Sequence, residues 1–373
     1  MKIAKKSMKR IGVLLFAAVI TAAAFAQNLD PDKAIPAFTE QIRNLPSGAS
    51  DNEKALPYCL RADAYLQRGL ACAAKGDYGR AKADYDLAIA DYNQAMKLVP
   101  SNWIPHHGRG QVYLEKDEAD QAIRDITEAI RLNPNDPRQP FFNVYGNRGR
   151  AYFKKGDLDK AIADYNQALQ INPNYTNAWY NRGVAYGTKG DLDKAIADFN
   201  QAIRLEPNHA GAYHDRGLIY NSKGDLDKAL ADYNQAIRLE PNYAGDYYDR
   251  GLIYGKKGDL DKALADFNQA IRLNAAYAAD AYYNRGVIYG KKGDLDKAIA
   301  EYSETIRLNP NYTDAYYNRG LAYVNKGNRA RARADWEKVL QLDPNETSAR
   351  QNLEVLRREE RNASGAGSGS LSY

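Results

Sequence analysis

The dipeptide Arg-Gly recurs along the chain at an almost constant spacing, and this period constrains the fold more than any other feature. Its glycines are Gly69, Gly110, Gly149, Gly183, Gly217, Gly251, Gly286 and Gly320. Successive glycines are 41, 39, 34, 34, 34, 35 and 34 residues apart. A fixed period near 34 residues indicates stacked supersecondary units. We therefore divide the chain into eight repeats, numbered in the order of these glycines.

The unit from Asn177 to Asn208 predicts a helical hairpin. We number the unit so that its Arg-Gly glycine is position 8. Aromatic or small residues then fall at positions 4, 8 and 11 and again at 20, 24 and 27. This is the spacing of one face on each of two helices. Between them, Gly190 can take the left-handed conformation that ends a helix, and Asp191 can cap the next one. Pro207 at position 32 ends the second helix. The stripe residues are Trp179, Gly183, Tyr186, Ala195, Phe199 and Ala202.

This pattern closely resembles the tetratricopeptide repeat family. The residues that carry the resemblance are the aromatic at position 4, Gly at 8, Tyr at 11, Ala at 20, Phe or Tyr at 24, Ala at 27 and Pro at 32. The resemblance implies an all-α fold, a right-handed superhelical solenoid of antiparallel helix pairs. It covers about 300 residues of the chain.

Two positions carry the same kind of charge in every repeat, and one of them departs from the family pattern. Position 7, usually a large aliphatic residue in the family, is arginine in all eight repeats, and position 23 is acidic in all eight. Both positions lie eight residues from the hinge, so they are level in a hairpin. The sequence therefore predicts an Arg–acid pair within each repeat, with a structural rather than catalytic role.

Residues 1–26 have the pattern of a bacterial secretory signal peptide. A basic start is followed by the apolar run Ile11 to Ala24 and by Ala-Phe-Ala before Gln27. An uncleaved anchor is the weaker alternative. This segment holds five of the 52 Lys and Arg residues and none of the 47 Asp and Glu residues, so the remainder carries 47 of each sign. The mature chain is therefore predicted to be electrically balanced and periplasmic or extracellular, with no transmembrane segment and no nucleic-acid partner.

The remaining organisation follows from the repeats. Ala34, Phe38 and Pro46 match positions 20, 24 and 32, which indicates a lone second helix before repeat 1. Repeat 1 has a seven-residue duplication in its second helix, and repeat 2 carries Asp117 in place of the hinge glycine. The predicted segments are a signal peptide at 1–26, a half-repeat helix and linker at 27–57, irregular repeats 1–2 at 58–141, regular repeats 3–8 at 142–344, a capping helix at 345–361 and a disordered tail at 362–373.

Position 5 is the main candidate for a binding surface. In the family, positions 2, 5, 9, 12 and 13 of the first helix line the concave groove, and here position 5 is mostly aromatic, position 6 is polar and position 13 adds lysines. Rings supply contact area and the polar row can bond a peptide backbone. The alternative is that these tyrosines recur only because the unit was duplicated. The candidates are Tyr180, Asn181, His214, Asp215, Tyr248, Asp249, Lys256, Tyr283, Asn284, Lys291, Tyr317 and Asn318.

The sequence does not indicate an acidic-peptide clamp, a metal or cofactor site, a disulfide or a catalytic site. The family's clamp for acidic C-termini needs Lys at position 5 and Asn at position 9, and this chain lacks both. The four histidines have no convincing metal spacing, so no metal and no cofactor is predicted. Cys59 and Cys72 are expected to lie about 20 Å apart on one helix, beyond the reach of a disulfide, with Cys72 in the core and Cys59 as a flanking thiol. We find no catalytic triad, phosphate loop or dinucleotide fingerprint, and we predict a protein that is not an enzyme.

The sequence thus predicts a non-catalytic protein–protein interaction scaffold or assembly adaptor outside the cytoplasm. It would bind a partner segment in the groove of repeats 3 to 8, while the irregular repeats 1 and 2 are candidates for a separate docking surface. Two alternatives stay open. The tyrosine row could bind cell-wall glycan directly, or the nearly identical repeats could stack end to end in a homo-oligomer. Family resemblance establishes a scaffold better than its use.

Overall fold

The computed structural model of the chain describes residues 30–133 and 141–367, and every regular element in those residues is a helix. The predicted signal peptide and the last six residues lie outside the described part. The chain divides into two compact units, which meet in sequence between Leu205 and Glu206.

In its described residues, the first unit contains a single helix and four helix pairs. The helices are α1 (Pro31–Arg43), α2 (Asp51–Ala74), α3 (Tyr78–Leu98), α4 (Trp103–Glu115), α5 (Ala119–Leu132), α6 (Phe142–Lys154), α7 (Leu158–Ile171), α8 (Thr176–Lys189) and α9 (Leu192–Leu205).

Up to Gly367, the second unit contains four helix pairs, a short 3₁₀ turn and a terminal helix. They are α10 (Ala210–Ser222), α11 (Leu226–Leu239), α12 (Ala244–Lys257), α13 (Leu260–Leu273), the turn Ala275–Tyr277, α14 (Ala278–Lys291), α15 (Leu295–Leu308), α16 (Thr313–Asn325), α17 (Arg329–Leu342) and α18 (Thr347–Gly367). The 3₁₀ turn lies at the end of repeat 6, where Ala275 occupies position 32 in place of proline.

The hinge of each pair is a tight left-handed turn. Gly190 has φ of 91°, and the backbone N–H of Asp191 donates to Tyr186 O at 2.9 Å, so the first helix closes within one residue. In repeat 2, Asp117 occupies the hinge with φ of 62°, the only non-glycine residue with positive φ in the described residues. Lys154 Nζ donates to the Asp117 carboxylate at 2.8 Å, which helps to hold this less favourable conformation.

Each core is shared between neighbouring repeats. Tyr165 of α7 packs with Ala161 and Ala168 on its own helix and with Ala178 and Ala185 of α8, which belongs to the next repeat. All five side chains are buried. A single hairpin could cover only one side of this stripe, so the repeats stabilise one another by stacking.

The predicted Arg–acid pair is present in all eight repeats and reaches further than predicted. Arg182 donates two hydrogen bonds to Asp198, both at 2.8 Å, and a third to Asn166 Oδ1 of the preceding repeat at 2.5 Å. Each guanidinium therefore joins the two helices of one repeat, and in most repeats it also bonds the repeat before. The pairs are Arg68–Asp84, Arg109–Asp125, Arg148–Asp164, Arg182–Asp198, Arg216–Asp232, Arg250–Asp266, Arg285–Glu301 and Arg319–Asp335.

Repeat 1 contains an additional pair that the sequence analysis missed. Arg61 lies seven residues before Arg68, and Asp91 lies seven residues after Asp84, so the longer helices α2 and α3 remain level at this point. Arg61 donates two hydrogen bonds to Asp91, both at 2.7 Å. The duplication in α3 thus extends the hairpin by two turns on both helices and repeats the ion pair.

The structure corrects the predicted linker before repeat 1. Helix α2 begins at Asp51, and Pro57 lies inside it rather than at its start. Ser50 and Glu53 form a reciprocal capping box, which fixes the earlier start because it satisfies the first free backbone N–H groups.

The predicted tail and the predicted roles of the two cysteines also change. Helix α18 continues to Gly367, six residues past its predicted end. Adding a residue to an existing helix costs far less than starting a new one. Both cysteines are free thiols, but Cys59 is the more buried one. It packs against Ala95 of the extended α3 and against Val99, which caps the end of that helix, whereas Cys72 lies at the edge of the core.

Candidate functional site

The position-5 residues lie on the first helix of each repeat and are half-buried. Tyr180 is on α8, His214 on α10, Tyr248 on α12, Tyr283 on α14 and Tyr317 on α16. Because they recur at the same register, the four members of the second unit follow one another from repeat to repeat. Each of these residues is therefore partly accessible to solvent and partly packed against the protein.

Each of these rings in repeats 5 to 7 is held between two other rings. The Tyr283 ring lies 6.0 Å from the ring of Tyr302 in its own repeat and 5.0 Å from that of Tyr312, at the junction with the next repeat. Tyr248 has the same relation to Phe267 at 5.8 Å and Tyr277 at 5.5 Å. The sequence analysis missed these junction tyrosines, although they recur at the end of the repeat.

The tyrosine hydroxyl groups of this row accept hydrogen bonds from asparagine side chains of the next repeat or, for Tyr317, of the terminal helix. Asn318 Nδ2 donates to Tyr283 Oη at 2.9 Å, and Asn284 Nδ2 donates to Tyr248 Oη at 3.2 Å. Asn352 of the terminal helix donates to Tyr317 at 3.4 Å. The structure therefore brings together the predicted rows at positions 5 and 6. Burial raises the pKa of Tyr248 to about 12, so its hydroxyl stays protonated at neutral pH.

Repeats 5 and 6 break this pattern with acidic residues. His214 replaces the tyrosine, and its Nδ1 lies 2.6 Å from Asp246 Oδ1. Burial alone would lower the pKa of His214, but the hydrogen bond to Asp246 and the charges of Asp215 and Asp249 outweigh it and raise the pKa. Asp246 was missed by the sequence analysis, although it stands at position 3, where the other second-unit repeats carry alanine.

The lysines at position 13 are exposed and make different contacts. Lys256 Nζ donates to Asn221 Oδ1 of the preceding repeat at 3.0 Å. Lys291 is exposed to solvent. Asn181 is half-buried beside Tyr180, whose ring lies 6.0 Å from Phe199. These residues belong to the same helical face as the aromatic row but do not form a cluster.

The histidines are placed for structure rather than for metal binding. His209 Nδ1 accepts a hydrogen bond from the backbone N–H of Ala212 at 3.1 Å and thereby caps α10. His107 Nε2 lies 3.0 Å from Asn147 Nδ2 of the next repeat. Within residues 30–133 and 141–367, no group of three His, Cys, Asp or Glu side chains is arranged to hold a metal ion. No helix in that part of the chain is both long and apolar enough to span a bilayer.

Family comparisons agree with this geometry. Models described as TPR repeat match residues 149–190, 217–258, 253–293 and 288–327, and further tetratricopeptide repeat models match 62–90, 80–137, 176–209, 199–231 and 313–346. The chain belongs to the tetratricopeptide repeat family. The all-α fold class of antiparallel helix pairs, which the resemblance to this family implied, is confirmed.

Several solved structures are similar to this chain. The Cut9–Hcn1 complex of APC/C aligns with a TM-score of 0.50 at 17% identity, over 89% of this chain and 67% of that one. MamA aligns with a TM-score of 0.42 at 32% identity, over 44% of this chain and 96% of that one. YrrB, described as a TPR protein with an unusual peptide-binding site, aligns with a TM-score of 0.45 at 24% identity, over 50% of this chain and 96% of that one. A search of curated proteins finds no match.

Membership of the tetratricopeptide repeat family indicates the general role of the protein. Arrays of these repeats typically mediate binding to protein partners, and they are generally non-catalytic. The protein is thus a scaffold for protein–protein interaction.

Proposed function

We propose that the protein is an adaptor outside the cytoplasm, and that it binds an extended segment of a protein partner along the position-5 row. In the second unit this row consists of His214, Tyr248, Tyr283 and Tyr317. Its amides and carboxylates at position 6 would bond the partner's backbone while the rings supply contact area.

The observation that carries this proposal is the fixed geometry of the row. Each tyrosine ring of repeats 6 and 7 is packed between two other rings and bonded through its hydroxyl to an amide of the next repeat. Side chains that are already ordered lose little conformational entropy when a ligand arrives. A regular, half-exposed and pre-organised row therefore favours binding of an extended chain.

The test is a crosslinking capture from the native envelope fraction. The binding variant replaces the position-5 tyrosines by alanine, and a matched control variant replaces the aromatic at position 4 of the same repeats. Both variants remove one ring per repeat from the same helices. Three of the control rings are half-buried like the position-5 rings, and the fourth, Tyr316, is buried, so the control variant should lose at least as much packing. The binding substitutions are Tyr180→Ala, Tyr248→Ala, Tyr283→Ala and Tyr317→Ala. The control substitutions are Trp179→Ala, Tyr247→Ala, Tyr282→Ala and Tyr316→Ala.

We expect a partner captured by the wild type and by the control variant to be lost with the binding variant, once circular dichroism shows that both are helical. Unchanged capture by the binding variant would show that the row is not the site, and repeats 1 and 2 would be the next candidates. If the wild type captures no protein but is retained on purified peptidoglycan, the glycan alternative replaces this proposal. If light scattering shows only self-association, the oligomer alternative replaces it.

The location outside the cytoplasm rests on the signal-peptide pattern of residues 1–26. We expect cell fractionation to place the protein in the periplasm or the medium, with its N-terminus at Gln27. Mass spectrometry of the purified native protein measures this directly. A protein that keeps residues 1–26 and remains with the cytoplasmic fraction would contradict the proposed location.

A further inference from the structure

Four residues of repeats 5 and 6, at three repeat positions, differ from their counterparts in the neighbouring repeats and lie close together. The other second-unit repeats, 7 and 8, have tyrosine at position 5, asparagine at position 6 and alanine at position 3. We define the acidic cluster as His214, Asp215, Tyr233, Asp246 and Asp249. Because the repeats are otherwise nearly identical, the neighbouring repeats show what the fold requires at these positions. It requires none of these charges.

Asp246 is buried in the interior where its counterparts are small and apolar. Its residue surface is 1% exposed, and its carboxylate bonds His214. Ala212, Ala281 and Ala315 fill the same position and are fully buried. Burying a carboxylate in place of alanine is unfavourable unless it is paired. The His214–Asp246 pair therefore replaces a simpler and less costly arrangement.

Asp249 has no partner among the described residues. No hydrogen bond or ion pair reaches its carboxylate, which is half-buried, and burial raises its pKa to about 6. The charge of His214 lowers this pKa, and that of Asp246 raises it. At neutral pH the side chain is thus a partly desolvated anion without a bonded cation. A cationic ligand would relieve this cost.

An unpartnered hydroxyl lies beside these carboxylates. Tyr233 is 0% exposed, and its Oη is buried without a hydrogen-bond partner in the described residues. Its ring lies 5.8 Å from that of His214, and burial together with the charges of Asp249, Asp246 and Asp215 raises its pKa. The same position is phenylalanine in repeats 4 and 6, so packing does not need the hydroxyl. An orphaned polar atom at this place indicates a missing ligand.

We propose that the acidic cluster is a binding site for a lysine or arginine side chain of the partner segment. This inference rests on the proposed function and adds a charge specificity to it. The ligand's cation would bond Asp249 and give the Tyr233 hydroxyl its missing partner. Its aliphatic stem would pack on Tyr243, an exposed ring whose centroid lies 5.5 Å from that of His214. A bare metal ion fits less well, because the described residues contain no group of three ligands arranged for one.

The test selects a displayed library of random nonapeptides on the purified protein. In the wild type, we expect lysine or arginine at one peptide position to be enriched about tenfold over acidic residues, since desolvated charge pairs of this kind contribute on the order of 1 kcal/mol or more. Asp249→Asn should reduce this enrichment to less than about twofold. Tyr233→Phe should reduce it about threefold, because one hydrogen bond is lost.

These variants should remain folded because the chain already contains the new residues at the same positions. Asn284 and Asn318 correspond to Asp249, and Phe199 and Phe267 correspond to Tyr233. Asp227→Asn is the matched control, since it removes one carboxylate from an exposed pair with Lys257 in the same unit. The control should select the same peptides as the wild type.

The enrichment should also depend on pH. Between pH 7.5 and pH 5, Asp249 gains a proton and His214 gains rather than loses positive charge. Asp215, Asp246, Tyr233 and Tyr243 are the other titratable groups around them. The cluster then loses negative charge, and we expect the basic preference to weaken severalfold. A site that acted only through packing would not change in this way.

Other outcomes overturn the inference. Selected peptides without a basic preference, or with the same preference in Asp249→Asn, would show that the cluster does not select charge. If such peptides still depend on Tyr248 and Tyr283, the groove proposal stands while this inference fails. If the wild type selects no peptide, both fail.

Discussion

At the scale of single residues, the arginine at position 7 does more than pair with its acidic partner. Arg250 donates two hydrogen bonds to Asp266, at 2.8 and 2.7 Å, and a third to Asn234 of the preceding repeat at 2.6 Å. Burial would lower the pKa of Arg250, but the hydrogen bond and charge of Asp266 outweigh it and raise the pKa. Only a planar guanidinium can make these three bonds together. This explains why the aliphatic residue usual in the family can be replaced.

We predict that Arg250→Lys lowers the free energy of unfolding by about 1–2 kcal/mol. Lysine keeps the charge but lacks the planar guanidinium that donates two parallel hydrogen bonds to the carboxylate. Arg250→Ala should lower it by about 3–5 kcal/mol, since Asp266 is then buried without its partner. The control is Lys262→Gln, which breaks an exposed pair with Asp259 and should change stability by less than about 1 kcal/mol. Urea denaturation measures all three. Equal effects of the alanine variant and the control would contradict a structural role for the pair.

At the scale of the helix pair, one glycine sets how closely the two helices approach. A Cβ added at Gly251 would lie 2.9 Å from a ring carbon of Phe267 and 3.3 Å from Asp266 Cβ. Gly255 lies one turn later on the same helix, and a Cβ there would meet only Ile288 Cδ1, at 3.9 Å. Position 8 therefore needs glycine for close packing, whereas position 12 does not.

We predict opposite effects for these two glycines. Gly251→Ala should destabilise the protein by about 1–3 kcal/mol, because Phe267 must leave its packed position. Gly255→Ala should stabilise it by about 0.5–1 kcal/mol, because alanine restricts the unfolded chain and favours the helix. Thermal unfolding of the two variants provides the comparison. A similar loss in both would show that helix propensity, rather than contact with Phe267, decides the outcome.

At the scale of the whole molecule, stability is local because each repeat bonds mainly its neighbours. The terminal helix α18 covers the last repeat: Ala349, Leu353 and Leu356 are buried against Trp336 and Val339 of α17. In such an array, opening at one end does not require opening of the rest. The terminal helix should therefore protect the C-terminal repeats and have little effect on distant ones.

We predict that Leu353→Ala costs about 2–4 kcal/mol of local stability, as expected for a buried leucine. Amide hydrogen exchange should become faster in α16 to α18 and remain unchanged in α2 to α7. Val355→Ala, at an exposed position on the same helix, is the control and should leave exchange unchanged. A uniform increase in exchange along the chain would contradict local stability and indicate global cooperativity.

The repeat, the hairpin and the Arg–acid pairs could all be predicted from the amino-acid sequence alone. These depend on short separations along the chain, where a 34-residue period and the spacing of helix faces leave few alternatives. The sequence also placed Tyr248, Tyr283, Asn284 and Asn318 on one face. Their contacts could not be predicted in this way, because a ring at position 5 meets its neighbours across the junction with the next repeat. The burial of Cys59 and the meeting of His214 with Asp246 were missed for the same reason: both depend on how separate helices stack, and spacing within one helix does not specify that packing.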